Sequence, residues 1–150
     1  MEAVSAKQMQ RARLRAVRKA MVRARNEPPR LTLGEEVFNA VSHGLGELMA
    51  VAGLVLLLLR SKEPLEIMST CFYGISMIVM MLMSSVYHAM KTGSTAKRVC
   101  RRFDYTSIYL LIGGTFAPVL LLYVGGRLGI ALFCIQWAVI LTGVALIAIF

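Results

Sequence analysis

The segment IMSTCFYGISMIVMMLMSSVYH, residues 67–88, contains no aspartate, glutamate, lysine or arginine, and it ends in two serines, a tyrosine and a histidine. A helix needs about 20 predominantly apolar residues to cross the hydrocarbon core of a bilayer. The apolar residues form a continuous run and do not alternate with polar ones, which is typical of a membrane helix rather than a barrel strand. The segment therefore predicts a transmembrane helix whose last turns, residues 84–88, are polar.

Three other segments have the same character, and charged residues are concentrated in the joints between them. The chain is 57% hydrophobic, above the roughly 45–50% of soluble domains. We therefore expect an all-α fold, an integral membrane helical bundle. Its four predicted transmembrane helices cover about residues 38–59, 67–88, 105–124 and 128–150.

The first 30 residues differ from the rest because they hold nine of the 17 lysines and arginines. The sequence thus divides into a basic cytoplasmic tail, 1–30, and a transmembrane domain, 31–150. Leu14, Val17 and Met21 have helical spacing, so the tail could lie as a helix on anionic lipid headgroups. The alternative is a disordered polybasic tail that serves only topology. We expect no nucleic acid as a partner, because no recognisable fold presents the basic residues.

Lysine and arginine counts in short joints predict the orientation in the membrane. The joint between the second and third predicted spans has five, whereas the joint after the first has two and the joint after the third has one. The tail and the second joint lie on one side of a four-span protein. We therefore expect a multi-pass protein of the cell membrane with a cytoplasmic N-terminus.

Polar residues cluster at one end of the first three predicted spans, all on the cytoplasmic side in this orientation. Glu36, Asn39 and His43 share one helical face, and Ser84 stacks one turn before His88. Ionisable residues inside a membrane are costly and indicate a functional site. The alternative is that these residues only meet headgroups and water at the span ends. The remaining members of the clusters include Ser42 and Asp104.

Three stretches resemble successive signatures of the haemolysin III family: GEEVFNAVSHGLG (34–46), SSVYH (84–88) and FDYTSIYLLIGGTFAPVLL (103–121). This family belongs to a superfamily with the progestin/adipoQ receptors and the alkaline ceramidases. The resemblance runs from about Leu31 to the end of the chain. It implies a seven-helix membrane fold, of which this chain holds four helices.

The resemblance also implies a zinc site near the cytoplasmic face, with His88 as a metal ligand. It implies catalytic roles for Asp104, which would hold the zinc-bound water, and for Ser84. A catalytic zinc keeps one position open for water and lowers the pKa of that water to about 7. The family's motif in the first helix implies a hydrogen-bonding network around the ligands, formed by Glu36, Asn39, Ser42 and His43.

The chain departs from the family pattern in two ways. Tyr105 follows the aspartate where the family commonly has histidine. The other two zinc histidines belong to a His-x-x-x-His of the seventh helix, whereas this chain contains two histidines in all. We therefore expect a fragment or a gene that ends early, with zinc bound in a full-length form and weakly or not at all by this chain. The alternative is an improvised site formed by His43, His88, Cys100 and Asp104.

Three functional classes remain open, and the sequence does not decide whether the protein is an enzyme. The first is a zinc-dependent membrane hydrolase acting on a lipid amide or a similar carbonyl. The second is a membrane-damaging cytolysin, as the family name suggests, and the third is a receptor or regulator of membrane state. A pore favours a polar stripe along whole spans, whereas polarity here is concentrated at one end.

The predicted orientation can be tested with single cysteines at positions 10, 63, 95 and 126 in a background without native cysteines. An impermeant thiol reagent added to intact cells should label positions 63 and 126 and leave 10 and 95 protected, because the lysine-rich and arginine-rich segments stay inside. The reverse pattern would overturn the orientation.

Overall fold

A computed structural model of the chain describes residues 2–25 and 31–149. Within these ranges the chain is helical without a strand, so the predicted all-α membrane bundle is confirmed. Four helices are long and apolar enough to cross a membrane, counting α4 together with a π-helical segment that continues it. The helices are α1 (Glu2–Arg25), α2 (Leu33–Arg60), α3 (Pro64–Ala89), α4 (Thr95–Pro118), the π-helical segment (Val119–Val124) and α5 (Gly126–Ile149).

The chain forms two compact units, residues 1–30 and 31–150. In the first unit, α1 exposes the apolar side chains of Leu14, Val17 and Met21 among its basic residues. Of the two alternatives for the tail, the helical one agrees with the structure. The predicted contact with anionic headgroups stays a prediction.

Helix α2 begins at Leu33, before the predicted start near residue 38, because Thr32 and Glu35 form a capping box. The Thr32 hydroxyl accepts from the Glu35 amide at 3.3 Å, and the Glu35 carboxylate accepts from the Thr32 amide at 2.7 Å. These bonds satisfy backbone donors that the first helical turn leaves without partners. Glu36 consequently lies in the first turn of α2.

Helix α4 begins at Thr95, well before the predicted span start at 105. Ser94 is its N-cap and accepts a hydrogen bond from the Lys97 amide at 3.0 Å. Hydropathy locates the apolar part of a span, whereas the cap decides where the helix starts. Most of the basic residues assigned to the joint therefore lie on helix α4, namely Lys97, Arg98, Arg101 and Arg102.

Helix α3 is the centre of the second unit, since α2 and α4 both pack against it and α5 packs against α4. Small residues let α3 and α4 approach closely. A Cβ added at Gly114 would overlap the Ser76 hydroxyl and meet the Phe72 carbonyl. Ser69 and Ser107 are also fully buried. Such small-residue seams are how membrane helices gain packing contacts without a hydrophobic driving force.

This seam predicts a contrast between two Gly→Ala substitutions. Gly114→Ala should lower the thermal unfolding midpoint in detergent, because overpacking a tight contact costs about 1–3 kcal/mol. Gly53→Ala should leave the midpoint unchanged or raise it, since a Cβ there meets nothing within 4 Å. Equal midpoints for the two variants would contradict the close approach of α3 and α4.

Candidate functional site

The first turn of α2 meets the last turn of α3 through Glu36 and His88. Glu36 is 6% exposed, and its Oε2 lies 2.8 Å from Nδ1 of His88. A carboxylate only accepts, so the proton of this hydrogen bond belongs to Nδ1. Nearby, the Ser85 hydroxyl donates to the Ala40 carbonyl at 2.8 Å and joins the same two helices.

The second carboxylate oxygen of Glu36 faces a lysine from α4. Lys97 Nζ forms an ion pair with Glu36 Oε1 at 2.7 Å, and the lysine side chain is fully buried. The same ammonium donates to the carbonyls of Tyr87 and Met90, each at 3.2 Å. It also lies 4.7 Å from the centroid of the Tyr87 ring. The ammonium thus has one carboxylate oxygen as its counter-ion and two carbonyl oxygens as hydrogen-bond acceptors.

Two further rings lie beside the His88 imidazole. His43 stacks parallel to it, with ring centroids 6.1 Å apart and planes 3° apart. The Tyr87 ring lies 4.7 Å away at a tilt of 60°. His43 follows Glu36 by two helical turns, so one face of α2 supplies both neighbours of His88.

The other predicted site residues lie on helices α2, α3 and α4. Ser84 is buried in α3 one turn before His88. The Ser42 hydroxyl donates to the Asn39 carbonyl at 3.1 Å, within α2 itself. Asp104 is half-buried in α4, and its main-chain carbonyl accepts from the Ser107 hydroxyl. The structure thus brings together Glu36, His43 and His88, and the roles predicted for the remaining four stay predictions.

The donor set of this chain does not by itself fit zinc. No group of three or more histidine, cysteine, aspartate or glutamate residues that could hold a metal exists within residues 2–25 and 31–149. Zinc sites use at least three protein ligands. The improvised site considered above, His43, His88, Cys100 and Asp104, is therefore not formed.

One part of the arrangement does have the form seen at zinc ligands. Metal-binding histidines commonly hold their other ring nitrogen against a carboxylate, which fixes the tautomer and the ring orientation. Glu36 occupies Nδ1 of His88 in this way, which leaves Nε2 as the nitrogen available to a metal.

Lys97 is the residue that sequence reasoning missed. The sequence places it among the five basic residues of a joint, whereas the structure buries its side chain completely. Ser94 as an N-cap would have placed Lys97 in the first turn of a helix. No local pattern links it to Glu36, since the two residues lie on different helices.

Residues 31–150 match the family model described as "Haemolysin-III related". The chain is 34% identical over 116 residues to a protein named "Hemolysin-3 homolog" from Bacillus subtilis (strain 168), covering 75% of this chain and 54% of that protein. It is 31% identical over 113 residues to "Hemolysin-3" from Bacillus cereus, covering 73% and 51%.

The chain thus spans about half the length of these curated relatives. No solved structure matches it significantly. The four apolar helices and the relatives together make it a multi-pass membrane protein. Because the family model matches residues 31–150, the chain belongs to the haemolysin III-related family.

Proposed function

We propose that this chain contributes one ligand, His88, to a zinc site whose other ligands come from outside residues 1–150. The assembled protein would be a zinc-dependent membrane hydrolase that acts on a lipid amide or a similar carbonyl. One observation carries the proposal: the buried Glu36 carboxylate holds Nδ1 of His88 at 2.8 Å. That pairing is costly to bury, and it has the form that orients a metal-binding imidazole.

The residues of this chain have distinct roles in the proposal. His88 binds through Nε2, and Glu36 keeps the ring in one tautomer. Asp104 accepts a proton at its carboxylate, and Ser84 supplies a hydrogen bond beside His88. Zinc, when bound, lowers the pKa of its water to about 7. The relatives' greater length supports the source of the missing ligands, because this chain spans about half of each.

Two further proposals concern the membrane. The N-terminus lies in the cytoplasm, supported by the excess of lysine and arginine before α2 and around the start of α4. Helix α1 contacts anionic headgroups, supported by its exposed apolar residues among basic ones. Cytolysis is the second candidate function, and the relatives' printed name, Hemolysin-3, favours it.

For the 150-residue chain alone we expect little or no zinc binding, since His88 is the single family ligand it holds. The measurement is elemental analysis of protein purified in detergent after mild chelation. Stoichiometric zinc that disappears in the His88→Ala variant would contradict this expectation. Cys134→Ala is the matched control, because Cys134 is exposed on α5 and belongs to none of the sites considered above.

In a longer form, His88→Ala should abolish zinc binding, whereas Asp104→Asn should keep zinc and lose hydrolysis. The reason is that an amide cannot take a proton as a carboxylate does. Ser84→Ala should cost roughly 10–100-fold in affinity or activity.

An in-frame continuation downstream of codon 150 that encodes His-x-x-x-His would provide the longer form. Equal zinc loss in the first two variants would make Asp104 a ligand, and zinc retained by the His88 variant would remove His88 from the site.

A further inference from the structure

Lys97 has no part in the chemistry proposed above, yet its side chain is fully buried. We infer that Lys97 is a positioning residue: its ammonium fixes the Glu36 carboxylate, and that carboxylate in turn fixes the His88 imidazole. The geometry of this chain carries the inference. Its meaning for metal binding rests on the proposed function.

The surroundings of Lys97 are those of a built site for an ammonium group. Its Nζ forms an ion pair with Glu36 Oε1 and donates hydrogen bonds to the carbonyls of Tyr87 and Met90. The two carbonyls belong to the C-terminal end of α3, where the helix dipole is negative. Burying an ammonium is costly unless it is paired and hydrogen-bonded. A charge needed only for topology would remain exposed, as Lys91 does in the same joint.

Lys97 can act on His88 through Glu36, because the Glu36 side chain contacts both residues. One carboxylate oxygen binds the lysine and the other binds Nδ1 of the histidine. Helices α2 and α4 do not come within 8 Å of each other between Cα atoms in the described part of the chain. The Glu36–Lys97 pair therefore spans from α2 to α4 across the end of α3. Removing the ammonium would leave Oε1 buried without its cation, and the carboxylate would lose the contact that holds its orientation.

Nitrogen NMR of the two histidine rings tests this inference on the zinc-free chain in detergent. The chain contains two histidines, so ¹⁵N-labelled histidine gives two ring patterns, and His88→Gln assigns them. In the native chain, Nδ1 of His88 should carry the proton. Lys97→Met should shift the His88 ring signals toward a mixture of tautomers, whereas Lys91→Met, an exposed control, should leave them unchanged. Unchanged His88 signals in folded Lys97→Met protein would overturn the inference.

The Glu36→Gln background shows whether Lys97 acts through Glu36. In this background Lys97→Met should no longer move the His88 signals, because the carboxylate that transmits the effect is gone. An undiminished shift there would overturn the inference.

Stability measurements keep the test decisive if Lys97→Met folds poorly. Removing one partner of a buried ion pair strands the other charge, whereas neutralising both is tolerated far better. The Glu36→Gln/Lys97→Met double variant should therefore have a higher thermal midpoint than Lys97→Met alone. Its His88 signals should match those of Glu36→Gln alone, because Lys97 acts on the ring through the Glu36 carboxylate. Additive destabilisation by the two substitutions would overturn the pairing.

The outcomes separate this inference from the proposed function. A His88 ring that responds to Lys97→Met supports the positioning role, even if a longer form binds no zinc and the proposed function fails. A ring that does not respond rejects the positioning role, even if a longer form binds zinc through His88.

Discussion

Glu36 divides its two carboxylate oxygens between a histidine of α3 and a lysine of α4. Removing one partner from a buried charged pair costs about 3–5 kcal/mol, because the remaining charge is left without water or a counter-ion. The ends of three helices must therefore keep their positions relative to one another. The stacking of His43 on His88 and the hydrogen bond from Ser85 to Ala40 follow from the same arrangement.

Away from the Glu36–His88–Lys97 cluster, close packing of the helices stabilises the bundle. Lipid tails are as apolar as the helices, so association depends on close packing and on hydrogen bonds between helices. Gly114 and Ser76 allow α3 and α4 to approach closely. Because α3 lies between α2 and α4, the polar ends of these two helices lie on opposite sides of the last turn of α3, which carries His88.

The sequence predicted the helices well because a continuous apolar run has few alternatives in a membrane. It predicted their starts poorly at Leu33 and Thr95, because hydropathy does not register capping by Thr32 and Ser94. The proximity of Glu36 and His88 followed from their shared depth and from the family resemblance. The burial of Lys97 did not follow, since it depends on a long-range pairing and lysine is rarely fully buried.

The two residues of the buried pair lie 61 positions apart, so they are synthesised at different times. A chain is synthesised from its N-terminus, so α2 and α3 are available to the membrane before α4. Until Thr95 and the residues after it arrive, Glu36 can pair with His88 but has no cation on its other oxygen. Entry of α4 supplies that cation, so the ion pair can form before α5, the fourth apolar helix, has been added. The third apolar helix therefore brings the counter-ion of a carboxylate that the first has already carried into the membrane.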